Sequence, residues 1–249
     1  MSYFPAPPYN VAVVGAASGI GAETARFLAG EGVRVACLDA NAEGAAEVAK
    51  GIGGEAFSGP CDITDPDAVD KAVAAAAQVF GQIHGLVNCA GITGKTNVRG
   101  HEVDLADFDR VYAINLRGAF LVSRTIIRHM LPFGYGRLLH VASIAGKEGN
   151  AGMTAYSATK AGLIGMVKSL GKDYPETGIT INALAPAVIR TPMVDALPEA
   201  TVKYMTDKIP MRRCGELAEA AAMIAWIVSP ACSFTTGFTF DLSGGRATY

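Results

Sequence analysis

Short unbroken apolar runs recur along the chain, at residues 11–14, 33–38, 86–87, 138–142, 179–184 and 238–240. They are dominated by Val, Ile, Leu and small apolar residues, without the polar alternation of a half-solvated strand. That pattern predicts strands buried on both faces, as in a parallel sheet. Between them lie stretches rich in Ala, Leu and charged residues, at 23–29, 42–50, 67–80, 105–130, 155–173 and 216–228. These read as helices. Asn41, Asp65 and Thr154 stand where N-caps belong, and Pro66 follows Asp65 at a first helical position. Regular alternation of strand and helix predicts a doubly wound α/β sheet with helices on both faces.

No linker, charge block or repeat interrupts this order, so residues 1–249 read as one domain. The segment 191–213 differs. It mixes Pro192, Pro198 and Pro210 with Met193, Met205 and Met211 and with Lys203, Lys208, Arg212 and Arg213. It reads as a short helical lid; the alternative is a surface insertion packed on the sheet edge.

Composition narrows the class. Half of the 249 residues are hydrophobic and 18% are charged, which fits a large buried core. The net charge of −2 gives no general attraction to nucleic acid or to an anionic membrane. The longest strongly apolar stretch, 220–228, falls far short of the ~20 residues of a membrane span. Residues 1–10 carry no Lys or Arg and three prolines, unlike a secretory leader. Five scattered cysteines, odd in number, suit a reducing cytoplasm better than a disulfide framework. His84, His101, His129 and His140 have no metal-ligand spacing, so no metal is expected.

Two groups of residues carry candidate chemistry. Gly15, Gly19 and Gly21 form a turn between the first strand and first helix, where helix N–H groups can meet a pyrophosphate. Asp39 follows 18 residues after Gly21, near the spacing of an acid that accepts from ribose hydroxyls. A carboxylate there repels a 2′-phosphate and no basic residue occupies 36–42, which favours NAD over NADP. The alternative is that Asp39 only caps the following helix, a role for which Asn41 competes.

Tyr156 and Lys160 stand four apart on one predicted helix face, a phenol and an ammonium suited to proton transfer at an alcohol oxygen. A free tyrosine ionises near pH ~10, so a base at neutral pH needs neighbouring positive charge. The spacing is not specific, because Tyr204 and Lys208 repeat it. Ser143 distinguishes the first pair: it lies 13 residues before Tyr156, just past the strand 138–142. The second pair lies in the lid segment and reads as incidental.

With Gly15, Gly19 and Gly21, Asn88-Cys89-Ala90-Gly91, Asn115, Ser143, and Tyr156 with Lys160 in this order, the chain resembles the short-chain dehydrogenase/reductase family. The resemblance covers nearly the whole length. It implies a single-domain Rossmann-type doubly wound parallel sheet. It also implies that Tyr156 is the general acid/base, that Ser143 polarises the substrate oxygen and that Lys160 lowers the Tyr156 pKa while binding the nicotinamide ribose. Asn115 would hold a water linking Lys160 to solvent. The implied dinucleotide contacts are Gly15, Ser18, Gly19, Ile20, Gly21, Asp39, Asp62, Ile63, Asn88, Ala90, Gly91, Tyr156, Lys160, Pro186, Val188 and Thr191. Val14, Cys89 and Ala187 depart from the family's usual Thr, Asn and Gly, which touches cofactor affinity and not the catalytic set. Members of the family usually form tetramers, here through the helices 105–130 and 155–173.

Substrate choice is expected to rest on the segment after Ser143, on residues 93–96 and on the lid. Lys147, Glu148 and Asn150 suit a hydroxylated or anionic substrate, or are solvated loop side chains. The tail 241–249 is expected near a neighbouring subunit, so that Arg246 reaches a substrate carboxylate across an interface. Together these features resemble the family members that oxidise sugars and 2-keto-3-deoxy sugar acids. The leading expectation is an NAD-dependent secondary-alcohol dehydrogenase for a small polar substrate. The alternatives are a 3-oxoacyl-thioester reductase and, from another class, a non-catalytic dinucleotide-sensing scaffold.

Overall fold

In the computed structural model, which describes residues 3–5 and 8–249, the chain opens on β1 (Asn10–Val14). Residues 1–2 and 6–7, part of the segment read as lacking a leader, lie outside the described residues, as do the side chains of Pro192 and Met193. The order continues α1 (Gly19–Gly30), β2 (Arg34–Asp39), α2 (Ala42–Ile52), β3 (Phe57–Pro60), α3 (Pro66–Phe80), β4 (Gly85–Asn88), α4 (Leu105–Tyr112) and α5 (Ala119–Met130). It ends β5 (Gly136–Val141), α6 (Ile144–Glu148), α7 (Thr154–Asp173), β6 (Ile179–Pro186), α8 (Pro192–Asp195), α9 (Glu199–Thr206), α10 (Leu217–Ile227) and β7 (Thr239–Leu242).

Among the described residues seven strands form one sheet, all parallel, in the order β3-β2-β1-β4-β5-β6-β7. The unbroken apolar runs are explained by cover on both faces. Ala12, Val14, Leu86, Leu138 and Ile181 face Val73 of α3, Ile126 of α5 and Leu163 of α7. Their neighbours Val11, Val13, Val87, Leu139 and Leu184 face Leu28 of α1, Val48 of α2 and Ile224 of α10. The winding reverses between β1 and β4, and the crevice at their carboxyl ends is where such a sheet takes a ligand.

Four local expectations are corrected. β3 was not foreseen: its sequence, Phe-Ser-Gly-Pro, has no apolar run because it is a half-exposed edge strand, where proline is tolerated. The single helix expected over 105–130 is interrupted by a wide π-type turn at Ala113–Gly118. The segment after Ser143 begins with helix α6, whose cap is the Ser143 side chain accepting from Ala145 N. Thr154 is the first residue of α7 and the cap position falls to Met153. Asn41 and Asp65 do cap α2 and α3, accepting from Gly44 N and Asp67 N. Among the described residues no helix is long and apolar enough to cross a membrane.

Candidate active site

The turn between β1 and α1 is dictated by close backbone approach. Gly15 has φ +81°, and a Cβ there would lie 2.7 Å from Ala90 N. A Cβ on Gly21 would strike the Gly15 carbonyl, so helix and turn close only without side chains. Gly19, at φ +54°, faces open space. Ser18 occupies the N-cap in an extended conformation without using its side chain as a cap. The first N–H groups of α1, from Gly19 and Ile20 onward, thus border an open cradle, and they fit a pyrophosphate.

Asp39 ends β2 and ties itself to this turn. Its Oδ2 accepts from Ala17 N at 2.9 Å and its Oδ1 from Asn41 N at 2.9 Å. Since Asn41 caps α2, the carboxylate is not spent as the cap, and it stands at the rim of the cradle. Asp62 is exposed and holds Thr64 through its N and Oγ1 at 2.9 and 2.7 Å. Ile63 sends its side chain into the core, leaving only backbone for a ligand. Pro186 ends β6; Val188 O accepts from Gly215 N, and Thr191 Oγ1 from Val194 N.

Ser143, Tyr156 and Lys160 converge from β5 and α7. Burial pushes the Tyr156 pKa above the ordinary tyrosine value, and the nearby Ser143 hydroxyl draws it partly back down. Lys160 is 4% exposed and donates from Nζ to Val141 O at 2.8 Å. Its Nζ lies 5.7 Å from the Tyr156 ring centre. Desolvation brings its pKa down to about 8, partly opposed by Cys89. Burial thus works against the charged form of Lys160.

Asn115 sits in the wide turn between α4 and α5, which turns its side chain inward. Its Oδ1 accepts from Ile92 N and its Nδ2 donates to Ile92 O, both at 2.8 Å; Nδ2 also reaches Thr159 Oγ1 at 3.2 Å. Thr159 donates in turn to Tyr156 O at 2.9 Å. Asn115 thus clamps the segment after β4 onto α7. A Cβ on Gly91 would fall 3.2 Å from Asn115 Oδ1 and 3.3 Å from Lys160 Nζ, so residues 90–91 pass between the glycine turn and the lysine. Thr159 was not foreseen, because a threonine inside a helix carries no sequence signal of its own.

The expected substrate residues meet one another. Arg246 donates from Nε to Glu148 Oε2 and from Nη2 to Asn150 Oδ1, both at 2.9 Å. Lys147 Nζ pairs with Asp241 Oδ2 at 3.1 Å and is 7% exposed on its side chain, while Tyr249 OH donates to Lys147 O at 2.7 Å. The tail therefore clasps the segment after Ser143 within its own chain. Tyr204 and Lys208 also meet, Nζ to OH at 2.7 Å, but exposed, the tyrosine on α9 and the lysine just beyond its end. Among the described residues no group of three or more His, Cys, Asp or Glu could hold a metal ion.

The glycine turn and the Ser143, Tyr156 and Lys160 group could serve a dinucleotide-dependent oxidoreductase, and comparison with known proteins shows the class. The profile of the family described as enoyl-(acyl carrier protein) reductase matches residues 15–247. The chain belongs to the short-chain dehydrogenase/reductase family and is an alcohol dehydrogenase of that type. It is 44% identical over 237 residues to the 2-dehydro-3-deoxy-L-rhamnonate dehydrogenase (NAD(+)) of Sphingomonas sp. (strain SKA58), covering 95% of this chain and 94% of that one. It is 36% identical to a 3-oxoacyl-(acyl-carrier-protein) reductase of Thermotoga maritima, covering 94% and 95%. The structure of a variant actinorhodin polyketide ketoreductase with NADPH is similar at TM-score 0.92 and 32% identity, covering 98% of this chain and all of that one.

Proposed function

We propose that the protein is an NAD-dependent dehydrogenase that oxidises a secondary alcohol of a sugar acid, of the 2-keto-3-deoxy kind, or reduces the matching ketone. The observation that carries the substrate class is Arg246. Glu148 and Asn150 hold its Nε and Nη2, while Nη1 makes no hydrogen bond among the described residues. A guanidinium fixed in this way beside the segment after Ser143 presents a donor to a substrate carboxylate. The similarity to a sugar-acid dehydrogenase across 95% of the chain supports the same class. Asp39 supports NAD over NADP, since its charge stands where a 2′-phosphate would come.

The cradle fits a dinucleotide. The pyrophosphate would rest on Gly15, Ser18, Gly19, Ile20 and Gly21, and a ribose on Asp39. The adenine side would meet Asp62, Ile63, Asn88, Ala90 and Gly91, and the nicotinamide side Tyr156, Lys160, Pro186, Val188 and Thr191. When bound, the nicotinamide supplies the hydride acceptor and a positive charge. Ser143 donates to the substrate oxygen, and Tyr156, as phenolate, takes the hydroxyl proton. The Lys160 ammonium stabilises that phenolate, and Asn115 keeps residues 91–92 in register with α7. Residues 191–213, carrying α8 and α9, act as the lid over the substrate.

We also infer a homotetramer in the cytoplasm. Leu105, Tyr112 and Phe120 lie exposed on α4, α5 and their junction, and the five cysteines are free. Light scattering of the purified protein tests the assembly.

The function is tested by following NADH and NADPH formation over a panel of 2-keto-3-deoxy acids, aldonic acids, neutral sugars and 3-hydroxyacyl thioesters. Fast NAD-linked turnover confined to the acids is expected. Turnover confined to thioesters with NADP would replace this reading by a 3-oxoacyl-thioester reductase. Silence on every substrate, with dinucleotide still bound, would favour a sensing scaffold.

A further inference from the structure

A buried histidine that takes no part in the proton transfer connects the sheet to the cofactor turn. His140 lies in β5, wholly buried, between Asn88 of β4 and Ser123 of α5. Its Nε2 is 2.8 Å from Ser123 Oγ and its Nδ1 3.2 Å from Asn88 Nδ2. Both ends of this row are fixed by groups with no choice of role. Ser123 Oγ lies 2.9 Å from the Ala119 carbonyl, which can only accept, so the hydroxyl proton points there. Nε2 must then donate to Ser123. At the other end, Ala90 N–H can only donate, at 3.2 Å, so Asn88 presents Oδ1 to it and its NH2 to His140. His140 Nδ1 must accept. A neutral imidazole protonated at Nε2 satisfies every member, and the other tautomer sets donor against donor at Nδ1 and lone pair against lone pair at Nε2.

The residue at the end of the row is the one that packs against the phosphate turn. Ala90 N is the atom a Cβ on Gly15 would strike, and Gly91 beside it passes Asn115 and Lys160. We propose that His140 is a positioning residue, which through Asn88 fixes the Ala90–Gly91 backbone between the phosphate turn and Lys160 and so sets dinucleotide affinity. Burial and the nearby Lys160 charge hold the ring neutral, as this role requires.

The role rests on the dinucleotide reading above, and the test separates the two. Histidine-selective 15N NMR of the unmodified protein reads the tautomer directly. Nε2–H is expected, and Nδ1–H or imidazolium at pH 7 overturns the proposal whether or not any variant folds. NADH and NADPH are then titrated by fluorescence into the parent, His140→Leu and His140→Asn. Leucine removes the acceptor, and asparagine can place an amide oxygen near where Nδ1 stood. The parent is expected to bind, leucine to weaken NADH about tenfold, and asparagine to stay within about threefold of the parent, the scale of one buried hydrogen bond. Equal affinity for the leucine variant and the parent, or equal loss in both variants, overturns the proposal while leaving the cofactor reading intact. A parent that binds neither dinucleotide removes both.

Discussion

Lys160 Nζ donates to the carbonyl of Val141, two residues before Ser143 on the same strand end. The last residue of β5 thus anchors the charge and the serine follows it at the cap of α6, while the Tyr156 phenol comes from one turn earlier on α7. The proposed chemistry depends on the register of one strand against one helix.

Holding that ammonium in the interior is costly. Lowering the Lys160 pKa from 10.5 to about 8 corresponds to roughly 3 kcal/mol against the charged form below pH 8. Because the folded pKa is the lower one, the cost is greatest below pH 8 and is relieved as pH rises towards 10.5. Lys160→Met is expected to abolish turnover yet unfold at or above the parent temperature at pH 7 in a thermal melt. A markedly lower melting temperature would show that the bond to Val141 outweighs the desolvation.

His140 acts in the same sense at lower pH. Desolvation, aided by Lys160, brings its pKa down to about 3 from 6.5. The stability carried by the neutral ring is fully present above pH 6.5 and is lost as pH falls towards 3. Melting temperatures at pH 7 and pH 4.5 should differ less in His140→Asn than in the parent. Equal differences would assign the acid sensitivity to other groups.

Removing the charge of Asp39 should loosen cofactor choice. Asp39→Asn keeps an oxygen for Ala17 N–H but no longer repels a 2′-phosphate. The ratio of NADH to NADPH affinity is expected to shift towards NADPH about tenfold, the scale of one screened like-charge contact. An unchanged ratio would remove Asp39 from the selection.

Arg246 is expected to matter for acids alone. Arg246→Met should raise KM for a sugar acid about tenfold or more, the loss of a charged hydrogen bond, and leave the KM of a neutral alcohol nearly unchanged. A parallel rise for both would mean that the clasp on Glu148 and Asn150 only shapes the segment after Ser143.

The parts of this site legible in the sequence are those whose signal is local. The continuous apolar runs follow from cover on both sheet faces, and the glycine turn from backbone contacts that forbid a Cβ. The parts that were not legible depend on distant partners. β3 is held by pairing with β2 through Ala36 and Phe57, and no pattern within Phe-Ser-Gly-Pro announces it. The wide turn at Asn115 lies inside a segment with uninterrupted helical composition. His140 showed only as a polar residue in an apolar run, and its partners are 52 and 17 residues away. The pairing of Lys147 with Asp241 and of Arg246 with Glu148 joins residues about a hundred positions apart, which no spacing rule reaches.

The central claim is that Tyr156 carries the proton of the reaction, and Tyr156→Phe tests it most directly. With the best substrate of the panel, kcat/KM should fall by about 10²–10⁴, the usual range for a lost general acid–base, while NADH affinity and melting temperature stay close to the parent's. Turnover at the parent's rate with phenylalanine at position 156 would contradict it.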